Sequence, residues 1–590
     1  MKSTVVGLGL AVVMALGMEL HGEVGKPWRS ALYPGNWTPV FSDDQGRFLH
    51  DFSYAGYHRG EKKLPDVAGA AIDVTKAPYL ADPTGTKDST AAIQAALDAA
   101  AKAGGGVVLM PAGTYRVAPP TPGSKVALQV GGSKTVLRGA GAGKTFLFND
   151  STDMRNKRVI EVQAGEISDA TVAGNLWYKD NPASSSPLVA DVPIPSTRLA
   201  VKDASAFAAG DLVAVRSDVT QRFIDQLGMA GKWPTKEEAE KGSGSVRYAV
   251  RGMLYCRRIV AVDAGRNEIV LDVPTRYPLL TADNARVVKL TDPMISEVGL
   301  EDFSIGMRAH PKPGWETIIP RLCPVPVKGD NMVHEDSPDW AEGAYDVAGT
   351  PAHDVHQSYA IAFVRAENCW MRRVNSYSPA GNPPGVHILS NTVLLDQSRF
   401  ITVDACDFKF PQYQGGGGNG YHFVLHSEDC LLRDCVAEGG RHNYDFGGMH
   451  TNGNVLLNCT ARNGKLPSDF HMYFSAANLF DGTVCEGDSL EADYRPYGGG
   501  VPHGVTTTQS VFWNTRGARY PTERFFFEGK PSRRKQVAVD SHQWGNGYVI
   551  GTQGPAFAVE SDNFVEGVGQ GETLEPLSLY LDQLKRRTGK

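Results

Sequence analysis

The sequence predicts an all-β solenoid, a parallel β-helix of stacked coils, and three observations carry that prediction. A cysteine-terminated segment recurs in the second half at intervals in the twenties. A strong helix, a glycine stop and short apolar strands follow one another near the start. The 65 glycines exceed the usual share and fit a turn-dense body.

At 590 residues the chain is too long for one compact core, so it holds several domains or one elongated repeat body. Hydrophobic residues at 42% and charged residues at 21% are ordinary for a soluble chain. A net charge of −6 argues against nucleic acid as the main partner, which wants a basic surface. It is compatible with an anionic polysaccharide, because a local basic cleft can sit on an acidic protein.

The elements follow in chain order. Lys2 and the apolar run Val5 to Met18 predict an export signal over residues 1–22, too short to cross a bilayer, hence a secreted or periplasmic protein. No later stretch predicts a membrane span. Residues 23–66 form a loop-like extension with Trp28, Tyr33, Trp37, Phe52, Tyr54 and Tyr57. Residues 67–187 begin the solenoid. Ser89 to Ala100 reads as an amphipathic helix, capped by Asp88 or Ser89 and stopped by Gly104-Gly105-Gly106. Val107 to Met110 then reads as a buried strand and Pro111 to Tyr115 as a turn. The string GAGAGKT at 139–145 fails as a phosphate loop, because Arg138 stands where that motif needs its first glycine; it reads as a coil turn.

The run TKDSTAAIQAALDAAAKAGGGVVLMPAGTYRV, residues 86–117, resembles the opening of the pectate-lyase-like superfamily. That resemblance implies a right-handed parallel β-helix, with the helix capping its N-terminal end and the strand after the glycines starting the first coil. The superfamily includes lyases, glycoside hydrolases, epimerases and phage tailspikes, so the resemblance implies no single chemistry. Ala81 to Thr86 departs from the family's usual GAKGDG form, so the entry loop is expected to differ from the family's.

Residues 188–290 break the rhythm with strands around turns and a helix-prone stretch, Thr235 to Lys241. They predict a small β-rich insertion. Residues 291–570 form the main coils, with a long loop at 310–356 over the cleft. Residues 571–590 hold an amphipathic helix, Leu577 to Arg587, expected to cap the last coil.

Three segments overlay: His426–Cys435, His450–Cys459 and Ala476–Cys485, with looser matches ending at Cys406 and Val374. Stacked coils lie ~4.8 Å apart, so the cysteines form an internal apolar ladder rather than disulfides or a metal site. None of the eight cysteines forms a C-x-x-C pair. Counting back from the ladder aligns Tyr421, Asp445 and His471, and, two residues earlier, Asn419, Asn443 and Asp469. Side chains alternate with period two, so these share one polar, outward face.

This stripe and its surroundings are the expected site. GGRHNYDFGG at 439–448 and the glycine loop FPQYQGGGGNGYHF at 410–423 also resemble superfamily members, though no residue role follows from that. Arg441, His442, Asp445, Asp469 and His471 are the candidate catalytic residues. Lys409, Asn419, Tyr421, His422, Asn443 and His450 are the candidate substrate-binding residues. A lyase needs a cation to neutralise a uronate carboxylate and a base to remove the neighbouring proton, and Arg, Lys, His and Tyr supply both. A glycoside hydrolase needs two carboxyl groups ~5 to ~9.5 Å apart, which Asp445 and Asp469 on adjacent coils would provide. Asp404 and Asp407 form a second pair whose spacing points them to opposite faces. No metal ligand is assigned and no cofactor is certain, though Asp445 and Asp469 could alternatively hold Ca²⁺. A solvated face, or a coil-turn network around Arg441 and His442, is the structural alternative. Trp340, Trp370, Tyr413, Tyr473 and Tyr494 either stack on sugars or pack between coils.

The expectation is a secreted polysaccharide-degrading enzyme, a lyase acting on a uronic-acid-containing glycan. The alternatives are a glycoside hydrolase with paired Asp and a non-catalytic glycan-binding or adhesion β-helix. The sequence sets no oligomeric state.

Overall fold

Short apolar strands separated by tight corners cannot bury their inner faces alone, so successive coils stack. In the computed structural model this stack is a right-handed parallel β-helix of three sheets. The structure describes residues 26–589 apart from 70, 122, 165–175, 179–180, 243–250, 313–343, 497–500, 521–523, 528–529, 534–535 and 556–557. The expected export segment, most of the 310–356 loop, Cys323 and Trp340 therefore lie outside the described residues. Among those described, no helix is long and apolar enough to cross a membrane.

The chain visits the first, second and third sheet in turn and returns. The first sheet has twelve strands and runs from Ala71–Asp73 to Phe564–Glu566. The second has ten, from Thr84–Asp88 to Arg516–Arg519. The third runs from Val126–Val130 to Val559–Ser561. Pairing between coils is parallel and in register, as in Leu431, Val455 and Leu479. Inside, rings stack from coil to coil: Phe423 on Tyr444 at 5.2 Å, Phe446 on Phe470 at 5.0 Å and Phe480 on Phe512 at 5.3 Å between centroids.

The corner between the first and second sheets repeats one device. Arg373, Ala405, Asp434 and Asn458 all adopt positive φ of 51–53°, and Gly482 takes the same role in the next coil. Each donates its backbone N–H to the coil above, as Asp434 to Leu457 (3.0 Å) and Asn458 to Asp481 (2.8 Å). That bond offsets the roughly 1–2 kcal/mol cost of left-handed backbone at a non-glycine residue.

The corner register corrects the expected ladder. Asn375, Asp407, Val436, Thr460 and Val484 pair in succession, so Val374, Cys406, Cys435, Cys459 and Thr483 share one level. Cys485 pairs with Ala461, two residues further on. All seven described cysteines are free and buried, as core packing requires.

The capping helix spans Thr90–Lys102 and buries Ile93, Ala96, Leu97 and Ala100 over the first coil. The Asp88 carboxylate accepts from Thr90 N at 2.8 Å, whereas the Ser89 hydroxyl accepts from Asp82 N. GAGAGKT turns the corner between strands Thr135–Gly139 and Thr145–Asn149.

Between Arg158–Val162 and Gly299–Glu301 the chain leaves the solenoid to build a six-stranded antiparallel sheet over residues 185–289. Thr235 and Glu238 form a capping box on its helix Lys236–Lys241. Its apolar residues, Phe223, Trp233 and Tyr255 among them, pack on Met449, Tyr473, Phe474 and Ala476 of the solenoid. Beside them Arg257 reaches Glu428 (2.5 Å) and Arg276 reaches Asp429 (2.7 Å), all fully buried.

The C-terminal helix, Leu579–Thr588, does not cap the last coil as expected. The outer face of the first sheet carries Leu431, Val455, Leu479, Val511 and Tyr548, and this apolar stripe demands cover. Leu579 and Tyr580 supply it together with Leu32, Tyr33, Trp37 and Phe52 of the N-terminal segment.

Candidate active site

Four neighbouring strands of the third sheet form the site floor: β1 (Tyr421–Glu428), β2 (His442–Gly447), β3 (Ser468–Met472) and β4 (Leu490–Ala492). Phe423, Leu425, Tyr444, Phe446 and Phe470 point inward to the core. Alternation therefore turns Asp445, Asp469 and Glu491 outward, and they pair in register coil upon coil. Tyr421 pairs with His442 in a second column.

Two expected neighbours are thereby corrected. Val424, not Tyr421, stands opposite Asp445, because β1 to β2 steps 21 residues while Cys435 to Cys459 steps 24. Asp469, not His471, pairs with Asp445, because Cys485 is not on the ladder level. The stripe is also buried rather than an open floor: Asp445 is 2% exposed and Asp469 0%.

The side chains nevertheless converge. Arg441 Nη1 donates to Tyr421 Oη at 2.7 Å, and Tyr421 Oη lies 3.4 Å from His471 Nε2. His471 Nδ1 lies 3.1 Å from Asp469 Oδ2 and 3.6 Å from Asp445 Oδ1. His442 Nδ1 donates to Pro467 O at 2.6 Å, with Asp469 Oδ2 at 3.1 Å. That bond places the His442 proton on Nδ1 and leaves Nε2 as a bare lone pair; Nε2 is buried and has no hydrogen-bond partner. The Tyr421 and His471 rings flank it, at 4.8 and 5.1 Å from the His442 centroid.

Arg495 and Glu491 were missed in the sequence. Arg495 follows β4 in an excursion that an antiparallel bridge to Gly504 folds back. Its guanidinium reaches Asp469 Oδ2 (2.5 Å), His471 Nδ1 (2.8 Å) and the Glu491 carboxylate. His503, on the same excursion, lies tilted against His471, with ring centroids 4.7 Å apart.

Burial dominates the electrostatics. It pushes Asp445 well above the usual carboxylate range, and the Asp469 carboxyl paired beside it adds to the shift. His442 and His471 are held well below the ordinary imidazole value, by burial first and then, net of Asp469, by the guanidiniums of Arg441 and Arg495. Both imidazoles are therefore neutral near pH 7. Burial likewise raises Tyr421, with Arg441 opposing.

One metal-ligand atom each from His442, Asp469 and His471 lies within 4.8 Å of the others. Two of these donors are imidazole nitrogens, unlike the oxygen set Ca²⁺ takes, and the Arg495 guanidinium already engages Asp469 and His471. The residues do not fit Ca²⁺.

The other expected residues lie apart. Lys409 pairs with Asp407 (3.1 Å) and Glu438 (3.7 Å) on the second sheet. Asn419 is fully buried, holding Gln357 N and Gly416 O. His422 bonds Thr392 and the Glu438 carbonyl, and Asn443 bonds Arg462 O and Asp488. His450 packs edge-on to Trp177, Tyr178 and His426. Asp404 and Asp407 sit on different sheets rather than one strand. Trp370 and Tyr413 are buried, Tyr473 packs under the insertion, and Tyr494 accepts from Lys232 at 2.8 Å.

Comparison with known proteins finds partial sequence matches and distant structural ones. A family model described as rhamnogalacturonase A/epimerase, pectate lyase-like, matches residues 76–181. Alginate lyase 7 of Azotobacter vinelandii is 43% identical over 98 residues, 15% of this chain and 11% of that protein. Mannuronan C5-epimerase AlgE4 of the same organism is 39% identical over 99 residues, 15% of this chain and 18% of that protein. The chain thus spans less than a fifth of either relative. Among solved structures, the tailspike gp49 of Pseudomonas phage LKA1 gives a TM-score of 0.34 at 10% identity, covering 84% of this chain and 81% of that one. The exopolygalacturonase of Thermotoga maritima gives 0.31 at 11%, covering 86% and 94%. The resemblance to the pectate-lyase-like superfamily holds, and no specific family within it is marked out.

Proposed function

We propose that this chain is an exported polysaccharide lyase that cleaves a uronic-acid-containing glycan by β-elimination. The observation that carries this is the His442 lone pair, buried and unpartnered, set among two guanidiniums and a tyrosine hydroxyl. Arg441 and Arg495 neutralise the uronate carboxylate, which acidifies the proton beside it. His442 Nε2 removes that C5 proton. The electron pair left on C5 forms the C4=C5 double bond, the C4–O4 bond breaks, and Tyr421 Oη protonates the departing oxygen. His471, backed by Asp469, stands 3.4 Å from Tyr421 to return its proton. Asp469 is a positioning residue, touching His442, His471 and Arg495 at once. The alginate lyase and mannuronan epimerases among the partial relatives are consistent with chemistry on a uronate.

One observation favours glycoside hydrolysis instead: burial beside Asp469 raises the Asp445 carboxyl well above its usual range, the direction a general acid needs. Asp445 and Asp469 pair directly across adjacent strands, which lie ~4.8 Å apart and leave no room for the water that the wider, inverting geometry needs.

A panel of uronate-containing polysaccharides, read both by ultraviolet absorbance and by reducing ends, separates these. Elimination yields unsaturated ends that absorb; His442→Ala lowers that rate by ~10²–10⁴-fold with the circular dichroism spectrum unchanged. New reducing ends without absorbance would establish hydrolysis.

A further inference from the structure

Two bare ring nitrogens lie outside the chemistry assigned above. On the outward face of β1, two residues past Val424, stands His426, paired with Asp396 of the preceding coil. One step past the Leu425–Phe446 pair it meets Gly447 of β2. A methyl group on Gly447 would lie 2.9 Å from His426 Nε2. The imidazole therefore lies over Gly447, directed toward the coil that carries His442 and Asp445. Gly447 has no positive φ, so its backbone does not demand glycine and the space above it does. At Gly448 the φ of 87° favours glycine on its own account.

His450 stands behind His426, with ring centroids 6.2 Å apart. The edges of Trp177 and Tyr178 close it off at 6.0 Å each. His450 is 8% exposed, whereas His426 is partly exposed. In both rings Nε2 is buried and has no hydrogen-bond partner. Burial holds His426 below the ordinary imidazole value, with Asp396 opposing. Burial, and then His426, push His450 down to about 3. Both rings are therefore neutral near pH 7. Beyond burial and the two guanidiniums, His426 also lowers His471, so it stands within electrostatic reach of the site.

A buried ring nitrogen without a partner is costly and calls for an explanation. A neutral imidazole nitrogen either donates or accepts, and a sugar hydroxyl answers both. We propose that His426 Nε2, carried over Gly447, binds a hydroxyl of the sugar next to the cleaved uronate, so that the protein recognises an uncharged feature of the glycan beside the carboxylate. This rests on the uronate chemistry proposed above. His450, braced by Trp177 and Tyr178, is the back wall of that contact.

The test measures binding by calorimetry in the His442→Ala background, where no cleavage intervenes. The probes are tetrasaccharides prepared from mannuronate, galacturonate and glucuronate polymers. At least one of them binds, and adding His426→Ala weakens it roughly 3- to 10-fold, the worth of one hydrogen bond. Gly447→Ala pushes the ring aside and brings a loss of the same size. The two changes together lose no more than either alone, because they remove one interaction. His426→Gln, whose amide also donates and accepts, recovers part of the affinity. Unchanged affinity in His426→Ala, losses that multiply in the double variant, or binding of none of the three tetrasaccharides overturns the proposal. If circular dichroism shows Gly447→Ala to be misfolded, the difference between His426→Ala and His426→Gln decides. Wild-type protein that binds through His426 yet yields no unsaturated ends is a different failure: it removes the elimination chemistry and leaves the hydroxyl contact standing.

Discussion

At the scale of single residues, Asp469 organises the site. It is fully buried and still meets His442, His471 and Arg495. A buried carboxylate is tolerable only when so compensated. The same burial keeps His442 and His471 neutral, and this has a kinetic signature. An ordinary imidazole base loses activity as pH falls through 6.5. With His442 held well below that value, kcat/KM should stay level from about pH 8 down to about 6 and decline only in more acid solution. A pH–rate profile of kcat/KM half-maximal at 6.5 would contradict a buried His442 base. The sequence made Arg441, His442, Asp445, Asp469 and His471 legible as a group, because their residue types match the chemistry and two coils of similar length bring them close. It places Tyr421 among the substrate-binding residues, and the fold sets its hydroxyl between Arg441 and His471. Arg495 and His503 were not legible, since an irregular excursion folds them back against the direction the repeat predicts. Following the column one coil further, to Leu490, would have drawn attention to Glu491 and Arg495.

At the scale of elements, register decides what meets what, and coil length sets register. The capping helix and the strand after the glycines are legible because their signals are local. Adjacency across coils is not, because corners absorb two or three residues without disturbing the strands. Treating Cys485 as the successor of Cys459 displaces every inference drawn from the last coil by one side-chain pair. The C-terminal helix was misplaced for a related reason: its amphipathic pattern shows that one face is covered, but not by which surface. It docks through Asp481, whose carboxyl accepts from Ser578 Oγ at 2.7 Å and Tyr580 N at 2.8 Å. Burial raises Asp481 from 3.8 to about 7. A carboxyl raised on folding stabilises fully below its unfolded value, and that contribution is lost as pH rises through the folded one. Asp481→Asn keeps an acceptor and cannot ionise. The variant should therefore gain in Tm over the wild type as pH rises from about 4 to 7, equivalent to as much as roughly 4 kcal/mol above that range. Thermal melts across pH check this; a difference that does not vary with pH would show that Asp481 does not titrate there.

At the scale of the whole molecule, the solenoid supplies a rigid column of outward positions and the excursions supply chemistry and cover. The six-stranded sheet packs on Met449, Tyr473 and Phe474, next to the site strands, and its Arg257 and Arg276 are locked to Glu428 and Asp429 at the end of β1. The stack itself was legible from periodicity and glycine content, because each coil buries its inner face only against its neighbours. Parallel stacking brings His442, Tyr421, Arg441 and Arg495 together, and we propose that they remove the proton beside a uronate carboxylate. The most direct measurement is the rate on a cleaved uronate polymer deuterated at C5, compared with the protiated polymer, followed by the ultraviolet absorbance of the product. Proton removal by His442 gives a slower rate on the deuterated polymer and unsaturated ends, both abolished in His442→Ala. Equal rates on the two polymers, with chain cleavage persisting in His442→Ala, would contradict it.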